Sequence, residues 1–310
     1  MNDLFMGVDL FLGVDGGGSK CRARLRDGAG RGAGLGRTLG EGLGGPANVW
    51  RDPVGAMRSI LEAAHGAALS AGMPDSVLAR AHVGCGLAGA GQPSAVARFL
   101  AEPRPFASIS VETDAYAAWL GAFGGKDGGI LIVGTGSCGL AVVGGGRTYV
   151  GGSGAEISDE GSGAAIGRDA VRRALWAQDG RAPMTDLAAA VLAIFAGGRQ
   201  SIVDWARTAK PADYARLAPL VFEHAARGDV LALALINGAA AEIARIGRRL
   251  LELGAPSLAL IGGLAEPIHP FLPPDLAARI VPPAADAMDG AILLAQRAQA
   301  AQDGDARKRA

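Results

Sequence analysis

The sequence predicts an α/β protein with two similar lobes. A short apolar segment, a glycine-rich turn and a second strand follow one another near the N-terminus, and the same arrangement returns in the middle of the chain. Long segments with the helical spacing of apolar residues lie between and after these hairpins. A repeated hairpin indicates an internal duplication. The length of 310 residues is sufficient for two domains of ordinary size.

The first hairpin covers residues 11–26. Its apolar run ends at Asp15 and three glycines follow, after which basic residues alternate with small or apolar ones from Lys20 to Arg26. This period of two is typical of a half-buried strand. Consecutive glycines allow positive φ and leave main-chain N–H groups open to an anion. With Asp15 beside that anion, the hairpin predicts a nucleotide phosphate with magnesium. A plain tight turn is the alternative.

The patterns after this hairpin build the rest of the first lobe. They predict helices at 54–71, from 75, at 93–100 and at 115–123, and strands at 81–85 and 107–111. Asp114 therefore lies at a strand-to-helix junction. It is either the N-cap of the helix, for which Asp is well suited, or a functional carboxylate.

The second hairpin contains an apolar strand, the turn Gly134-Thr135-Gly136-Ser137 and a strand over 138–143. Together the two hairpins predict a clamp on one phosphate chain. Further on, Asp159 and Glu160 precede a helix at 163–177. They either stabilise the positive end of that helix or bind a polyhydroxylated substrate. The rest is predicted to be mostly helical over 185–253, with a strand at 257–261, a proline-rich connector at 267–283 and a final helix at 287–300.

Composition argues against several classes of protein. The net charge is zero and aromatic residues make up only 5% of the chain, so we expect no nucleic-acid partner. Three widely spaced cysteines and four histidines form no disulfide framework and no zinc motif, which favours a cytoplasmic location. The N-terminus is not typical of a signal peptide, and no run of about 18 apolar residues predicts a membrane span.

The order of five motifs resembles the sugar-kinase branch of the actin-like ATPase superfamily. The motifs are DGGGSK from Asp15, ETDA from Glu112, GTGS from Gly134, DEGSG from Asp159 and IGGLA from Ile261. Within that branch the chain is similar to the N-acetylglucosamine kinase group, which shares a family with the BadF/BcrA-type ATPases. The resemblance extends from about Leu10 to Ala300.

The resemblance implies two actin-like, ribonuclease H-like domains, each a mixed sheet flanked by helices, with an active-site cleft between them. The first domain would comprise residues 1–114, completed by a C-terminal helix at about 288–300. The second, nucleotide-binding domain would comprise residues 115–287, and a flexible tail would cover 301–310. A homodimer through the helical part of the second domain is compatible with the sequence.

The resemblance also implies an activity, which is ATP-dependent phosphorylation of the 6-hydroxyl group of an amino sugar. N-acetylglucosamine is the first choice and glucosamine the alternative. Asp114 would be the general base, with an ordinary carboxylate pKa, and Asp15 would bind Mg²⁺ through water. The implied ATP contacts are Asp15, Gly16, Gly17, Ser19, Lys20, Gly134, Thr135, Gly136, Ser137, Gly262 and Gly263. The implied sugar contacts are Asn48, Asp114, Gly152, Ser153, Asp159 and Glu160.

One departure from the family pattern concerns the sugar. Members of the group usually carry GGWG where this chain has Gly151, Gly152, Ser153 and Gly154. The missing tryptophan would lie near the nitrogen substituent, so this departure concerns recognition of an acetamido group and leaves the motifs for kinase activity intact. Two other functions are a non-catalytic sugar sensor, against which the presence of Asp15 and Asp114 argues, and a BadF-type ATPase that drives electron transfer. The cysteine pattern argues against that ATPase, because it offers no iron–sulfur cluster site.

Overall fold

The computed structural model describes residues 9–28 and 35–309, with side chains up to residue 304. Within these ranges the chain forms two compact units. The first unit contains the described residues up to Lys126 and those from Pro283 onward, and the second unit runs from Asp127 to Pro282. The division therefore lies twelve residues beyond the one predicted after Asp114 (126 against 114), and the helix that begins there belongs to the first unit.

A five-stranded mixed sheet forms the centre of the first unit. Its strands are β1 (Leu10–Gly16), β2 (Cys21–Asp27), β3 (Thr38–Gly44), β4 (Ala81–Leu87) and β5 (Ser108–Thr113). Its helices are α1 (Pro53–Ser70), α2 (Pro93–Leu100), α3 (Asp114–Phe123) and α12 (Ala287–Arg309), with a 3-10 turn at Asp75–Arg80. The strand order is β3-β2-β1-β4-β5. The strands β1, β4 and β5 are parallel, and β2 is antiparallel to both neighbours.

Close packing of β3 on α1 explains part of the second glycine-rich stretch of the sequence. A Cβ atom on Gly40, Gly42 or Gly44 would lie within 2.2 Å of a carbonyl oxygen of α1. Only glycine therefore allows the strand and the helix to approach this closely.

The C-terminal helix α12 completes the first unit. A Cβ on Gly13 of β1 would lie 2.0 Å from a carbonyl oxygen of α12, and one on Gly290 of α12 would lie 1.8 Å from a carbonyl oxygen of α3. Because α12 packs directly on both, α3 is held in the first unit. A flexible tail is predicted for 301–310, but α12 continues through this segment as helix to Arg309, and Ala310 lies outside the described residues.

The second unit has a four-stranded sheet with a larger set of helices. Its strands are β6 (Gly128–Val133), β7 (Ser137–Val143), β8 (Gly146–Gly151) and β9 (Leu258–Ile261), in the order β8-β7-β6-β9. Its helices are α4 (Gly163–Gln178), α5 (Asp186–Ala193), α6 (Gly198–Ala206), α7 (Pro211–Ala215), α8 (Ala218–Ala226), α9 (Val230–Glu252), α10 (Ala265–Ile268) and α11 (Pro274–Ala277), and a 3-10 turn follows α10 at His269–Phe271. The strands β6 and β9 are parallel.

The edge strand β8 was not predicted from the sequence. Its residues are mostly exposed, so it lacks the apolar alternation that marks a half-buried strand. It is joined to β7 through Gly144 and Gly145, which both have positive φ. This conformation is typical of a two-residue hairpin turn.

Helix α9 is the longest helix of the second unit and contributes strongly to its core. The buried face includes Ile236, Ile243 and Leu250, all in the main hydrophobic cluster of the unit. Within the described residues, α9 is also the one single helix with the length and mean hydropathy of a membrane span. A buried core helix of a folded domain has these same two properties.

Candidate active site

Asp114 is the first residue of α3 and follows β5 directly. The residue before it caps the helix, because the Thr113 hydroxyl oxygen accepts a 3.1 Å hydrogen bond from the N–H group of Tyr116. The Asp114 carboxylate instead accepts a 2.9 Å hydrogen bond from the N–H group of Ala115. The alternative that Asp114 is the N-cap is therefore wrong, and its carboxylate is not committed to capping.

The surroundings of Asp114 favour protonation of its carboxyl group. Burial raises its pKa from 3.8 to about 6, and the negative charge of Asp15 acts in the same direction, while the N–H groups of Ala115 and of Asp114 itself lower it. The expectation of an ordinary pKa is therefore wrong. A carboxylate with a pKa near 6 is ionised at neutral pH and accepts a proton more readily than an ordinary one.

Asp15 lies near the end of β1, opposite Arg22 of β2 in the antiparallel register. The Nη2 atom of Arg22 donates a hydrogen bond to Oδ2 of Asp15 over 2.7 Å. Gly86 of β4 pairs with Asp15 on its other side, and a Cβ on Gly86 would lie 3.4 Å from the Cα atom of Asp114. The first unit thus brings two carboxylates and a guanidinium group to the carboxyl ends of its parallel strands.

The glycine turn between β1 and β2 does not use the left-handed backbone that glycine allows. None of Gly16, Gly17 and Gly18 has a positive φ. Gly16 is required by packing, because a Cβ there would lie 2.5 Å from the Leu87 side chain. A Cβ on Gly17 would meet only the Lys20 carbonyl oxygen, at 3.7 Å, and one on Gly18 would meet no described atom within 4 Å. Packing therefore does not explain Gly17 and Gly18.

Ser19 and Lys20 are exposed at this turn. Asn48, the predicted sugar contact of the first unit, lies after β3. Its Oδ1 atom accepts 3.1 Å hydrogen bonds from the N–H groups of Trp50 and Arg51. The Asn48 side-chain NH₂ group is therefore the part of the amide that is left to meet a ligand.

In the second unit, the GTGS turn joins β6 to β7 and is held by the start of α4. The N–H of Gly134 donates to the carbonyl oxygen of Gly136 over 2.9 Å. The N–H of Gly163 donates to the Gly134 carbonyl at 2.8 Å, and that of Ala164 to the Thr135 carbonyl at 3.1 Å. The helix thus fixes the carbonyl groups of the turn while the Thr135 residue stays exposed.

Ser137, at the start of β7, joins the GTGS turn to the loop before α4. Ser137 is only 3% exposed, and its hydroxyl donates a 2.7 Å hydrogen bond to the Glu160 carbonyl oxygen. Its N–H group donates to the Asp159 carboxylate. Both donors of Ser137 are therefore used inside the second unit.

Asp159 lies over the GTGS turn in a strained conformation. Its φ of 63° is the only positive value of a non-glycine residue in the described part of the chain. A Cβ on Gly136 would lie 2.8 Å from Oδ2 of Asp159. Burial raises the pKa of the Asp159 carboxyl group, and the N–H groups of Ser137 and Gly154 lower it. Such strain costs about 1–3 kcal/mol and is concentrated at functional sites.

The other predicted sugar contacts of the second unit lie on the same loop. Gly152 has a φ of 74°, and a Cβ there would lie 2.5 Å from Cβ of Cys138. Ser153 is exposed. Glu160 accepts a 3.0 Å hydrogen bond from the Ser158 hydroxyl and borders a cavity of about 500 Å³ between this loop, α4 and α9. Asp159 and Glu160 are adjacent in sequence, yet their carboxylates have different neighbours.

The turn after β9 reaches the same edge of the second sheet as the GTGS turn. Gly262 has a φ of 111°, and a Cβ there would lie 2.3 Å from the Val133 carbonyl oxygen at the end of β6. The N–H of Leu264 donates to that same oxygen over 3.0 Å. A Cβ on Gly263 would meet no described atom within 4 Å, so the main chain is open at this residue.

Two residues of the first unit's site were not predicted from the sequence. Arg22 belongs to the alternating basic pattern of β2, and the hairpin register could have placed it opposite Asp15. Thr113 is a good capping residue directly before Asp114, which could have released Asp114 from that role.

A profile of the BadF/BadG/BcrA/BcrD ATPase family matches residues 12–267. This range includes the first hairpin from residue 12 onward, the whole second hairpin, Asp114 and the turn at Gly262. The chain belongs to this family. The resemblance stated from the five motifs is thereby confirmed.

Two individual proteins are similar to this chain over nearly its whole length. Glucosamine kinase GspK of Vibrio cholerae is 41% identical over 288 residues, which covers 93% of this chain and 96% of the relative. The crystal structure of a candidate N-acetylglucosamine kinase from Chromobacterium violaceum has a TM-score of 0.86 and 35% identity, covering 93% of this chain and 99% of that one.

A more distant structure extends the likeness of fold. A ROK-family glucokinase from Streptomyces griseus, solved with glucose and AMPPNP, has a TM-score of 0.51 and 20% identity over 94% of this chain and 99% of that chain. The predicted α/β fold of mixed sheets flanked by helices is confirmed, and it is shared with sugar kinases.

Proposed function

We propose that this protein is an ATP-dependent kinase that phosphorylates the 6-hydroxyl group of an amino sugar. The observation that carries the proposal is Asp114, a carboxyl group with a pKa of about 6 in the electrostatic field of Asp15. These two groups lie beside a glycine turn whose main chain is open. Membership of an ATPase family and similarity to a glucosamine kinase over 96% of its length support the same activity.

In the proposed reaction Asp114 accepts the proton of the sugar's 6-hydroxyl group as that oxygen attacks the γ-phosphorus of ATP. The bond from the γ-phosphorus to the bridging oxygen breaks, and ADP leaves with the electron pair. Phosphoryl transfer requires alignment and charge balance more than covalent help from the protein. A base that is ionised at neutral pH and can hold a proton suits this step.

In the first unit, we assign phosphate contacts to the main chain at Gly16, Gly17 and Ser19, with positive charge from Lys20. Mg²⁺ is usually held by one or two carboxylates, phosphate oxygens and water. The partly exposed Asp15 carboxylate fits that donor set. When bound with ATP, the ion would neutralise charge on the phosphate oxygens.

In the second unit, we assign phosphate contacts to the GTGS turn, chiefly its Thr135 and Gly136. Ser137 then supports the turn from inside, since both of its donors are used there. Gly262 and Gly263 are assigned to adenosine. The open main chain at Gly263 supports that role.

For the sugar, we assign the Asn48 NH₂ group together with Gly152, Ser153, Asp159 and Glu160. Carboxylates suit vicinal hydroxyls because each accepts several hydrogen bonds. Glucosamine is now the favoured substrate and N-acetylglucosamine the second. The order is reversed from the sequence-based expectation because the 41% identical relative is a glucosamine kinase, and because serine stands at 153 where tryptophan is usual.

The proposal is tested by measuring ADP release in the presence of glucosamine, N-acetylglucosamine, N-acetylmannosamine and N-acetylmuramate. We expect kcat/KM for glucosamine to exceed that for N-acetylglucosamine by about tenfold or more, the scale on which a pocket separates substrates that differ by a small group. ADP release that no sugar stimulates would contradict the proposed activity.

The variant Ser153→Trp tests the basis of that preference. We expect a shift of the kcat/KM ratio toward N-acetylglucosamine, because the indole would restore the side chain usual in the group. An unchanged ratio would remove Ser153 from the sugar site, whichever sugar is preferred.

A further inference from the structure

Four basic side chains alternate along one face of β2, namely Lys20 at the turn and Arg22, Arg24 and Arg26 within the strand. They differ in how many partners they have. Arg24 and Arg26, which lie toward α12, have more partners than Arg22, which lies next to the glycine turn.

The two arginines furthest from the turn contact acidic side chains of the first unit. Arg24 contacts Glu41 at 2.7 Å and both Asp286 and Asp289 at 2.8 Å. Arg26 contacts Asp289 at 2.8 Å and donates to a carbonyl oxygen of the first unit at 2.9 Å. These contacts attach the start of α12 to β2, so Arg24 and Arg26 are accounted for by folding.

Arg22 has a different environment from its two neighbours. In the described part of the chain its one acidic partner is Asp15, at 2.7 Å, and its side chain remains 38% exposed. Its partner is the residue assigned above to magnesium and the ATP phosphates. No contact to α12 or to another acidic group of the described residues explains why an arginine is placed here.

The Asp15 carboxylate has a second charged neighbour in Asp114, whose carboxyl group feels its negative charge. Two carboxylates in one site repel each other, and a cation beside one of them offsets that repulsion. Arg22 supplies that cation on the β2 side of Asp15. Because it binds Oδ2, the other oxygen of Asp15 is left for a ligand.

We propose that Arg22 is a positioning residue that holds the Asp15 carboxylate in one orientation and balances its charge where the magnesium nucleotide binds. This proposal rests on one part of the proposed function, namely that a magnesium nucleotide binds at this turn. It does not depend on which sugar is phosphorylated. Partners that orient a metal-binding group typically affect metal affinity by about 10–100-fold.

The experiment is a double-mutant cycle on the full chain with the variants Asp15→Asn, Arg22→Gln and the two combined. The affinity for MgADP is measured by calorimetry without sugar, and kcat and KM for ATP are measured alongside. We expect Arg22→Gln to weaken MgADP binding by about tenfold or more. In the Asp15→Asn background the same change should have little further effect, because Arg22 would act through Asp15.

Two variants separate positioning from a contribution to folding. Arg22→Lys keeps the charge and one hydrogen bond, so it should recover much of the MgADP affinity. Arg26→Gln, on the same face of the same strand, should lower Tm through loss of its contact with Asp289 and leave the MgADP affinity within about twofold.

Equal effects of Arg22→Gln in the parent and in the Asp15→Asn background would overturn the proposal, since Arg22 would then act independently. Unchanged MgADP affinity in Arg22→Gln would overturn it as well. Coupled binding effects in a protein that phosphorylates no sugar would support Arg22 and reject the kinase. Absence of MgADP binding by the parent protein would overturn both.

Discussion

The two hairpins have the same topology but different chemistry. At the end of β1 and the start of β2, the first hairpin carries Asp15, Lys20 and Arg22. Its turn is held by main-chain hydrogen bonds to the carbonyl oxygens of Lys20, Gly17 and Gly16. The second hairpin has no charged side chain at its turn from Gly134 to Ser137. That turn is held instead by the start of α4 and by a carboxylate from another loop.

This difference indicates that the two similar hairpins have different roles. The first hairpin presents charged groups on a main chain with free space around Gly17 and Gly18. The second presents a neutral, firmly held main chain and takes its negative charge from Asp159. We therefore expect substitutions at the charged groups and at the open glycines of the first hairpin to change chemistry or ligand affinity. Substitutions at Gly16, which packs against Leu87, and near the second turn should change stability first.

The largest effect is expected at Asp114, beside the first hairpin. Asp114→Asn should lower kcat by about 100–10,000-fold, the usual contribution of a general base, and leave KM for the sugar nearly unchanged. Steady-state kinetics with the preferred sugar would measure this. Near-parental turnover in Asp114→Asn would remove the base from the charged site and break the contrast with the second hairpin.

The pH dependence of the parent and the stability of Asp114→Asn are the controls for this prediction. In the parent, activity should fall about tenfold per pH unit below the pKa of about 6, because protonated Asp114 cannot accept a proton. A carboxyl pKa raised by folding means that ionisation disfavours the folded state, so stability is lost as pH rises from 3.8 through about 6. Asp114→Asn should therefore be at least as stable as the parent at pH 8, by thermal unfolding.

The next effect distinguishes two glycines of the first turn. Gly16→Ala should lower the free energy of unfolding by about 1–3 kcal/mol, because the new Cβ would lie 2.5 Å from Leu87. Gly17→Ala should leave stability nearly unchanged, because the new Cβ would meet only the Lys20 carbonyl oxygen at 3.7 Å, yet weaken MgADP binding by about tenfold, equivalent to about 1.4 kcal/mol. Denaturant unfolding and calorimetry would measure the pair. Parental MgADP affinity in Gly17→Ala would show that the first turn is not a ligand surface.

The smallest effect concerns the strain at Asp159 in the second unit. Asp159→Gly and Asp159→Ala both remove the carboxylate, but only alanine keeps a Cβ at a φ of 63°. Alanine should therefore be less stable than glycine by about 1 kcal/mol, as measured by urea unfolding. Equal stability of the two variants would mean that the backbone relaxes at this site, so that the second turn is less firmly held than the contacts indicate.

Most elements of both hairpins could be predicted because their signals are local. The alternation from Lys20 to Arg26 marks β2, and glycine clusters mark the turns. The exposed strand β8 has no such signal, since five of its six residues are exposed. The boundary between the two units was predicted too early, because the strand-to-helix junction before α3 is locally similar to a domain boundary. The helix α3 belongs to the first unit because α12, distant in sequence, packs on it.

Residue order over short spans is sufficient to predict the two hairpins, the strand-to-helix junction at Asp114 and the family, and Thr113 as the cap is a local signal of the same kind. Two further features come from packing between distant segments. Burial and the charge of Asp15 raise the pKa of Asp114, and Asp159 lies over the GTGS turn. Desolvation and charge interactions depend on what packs nearby, and residues distant along the chain determine that packing.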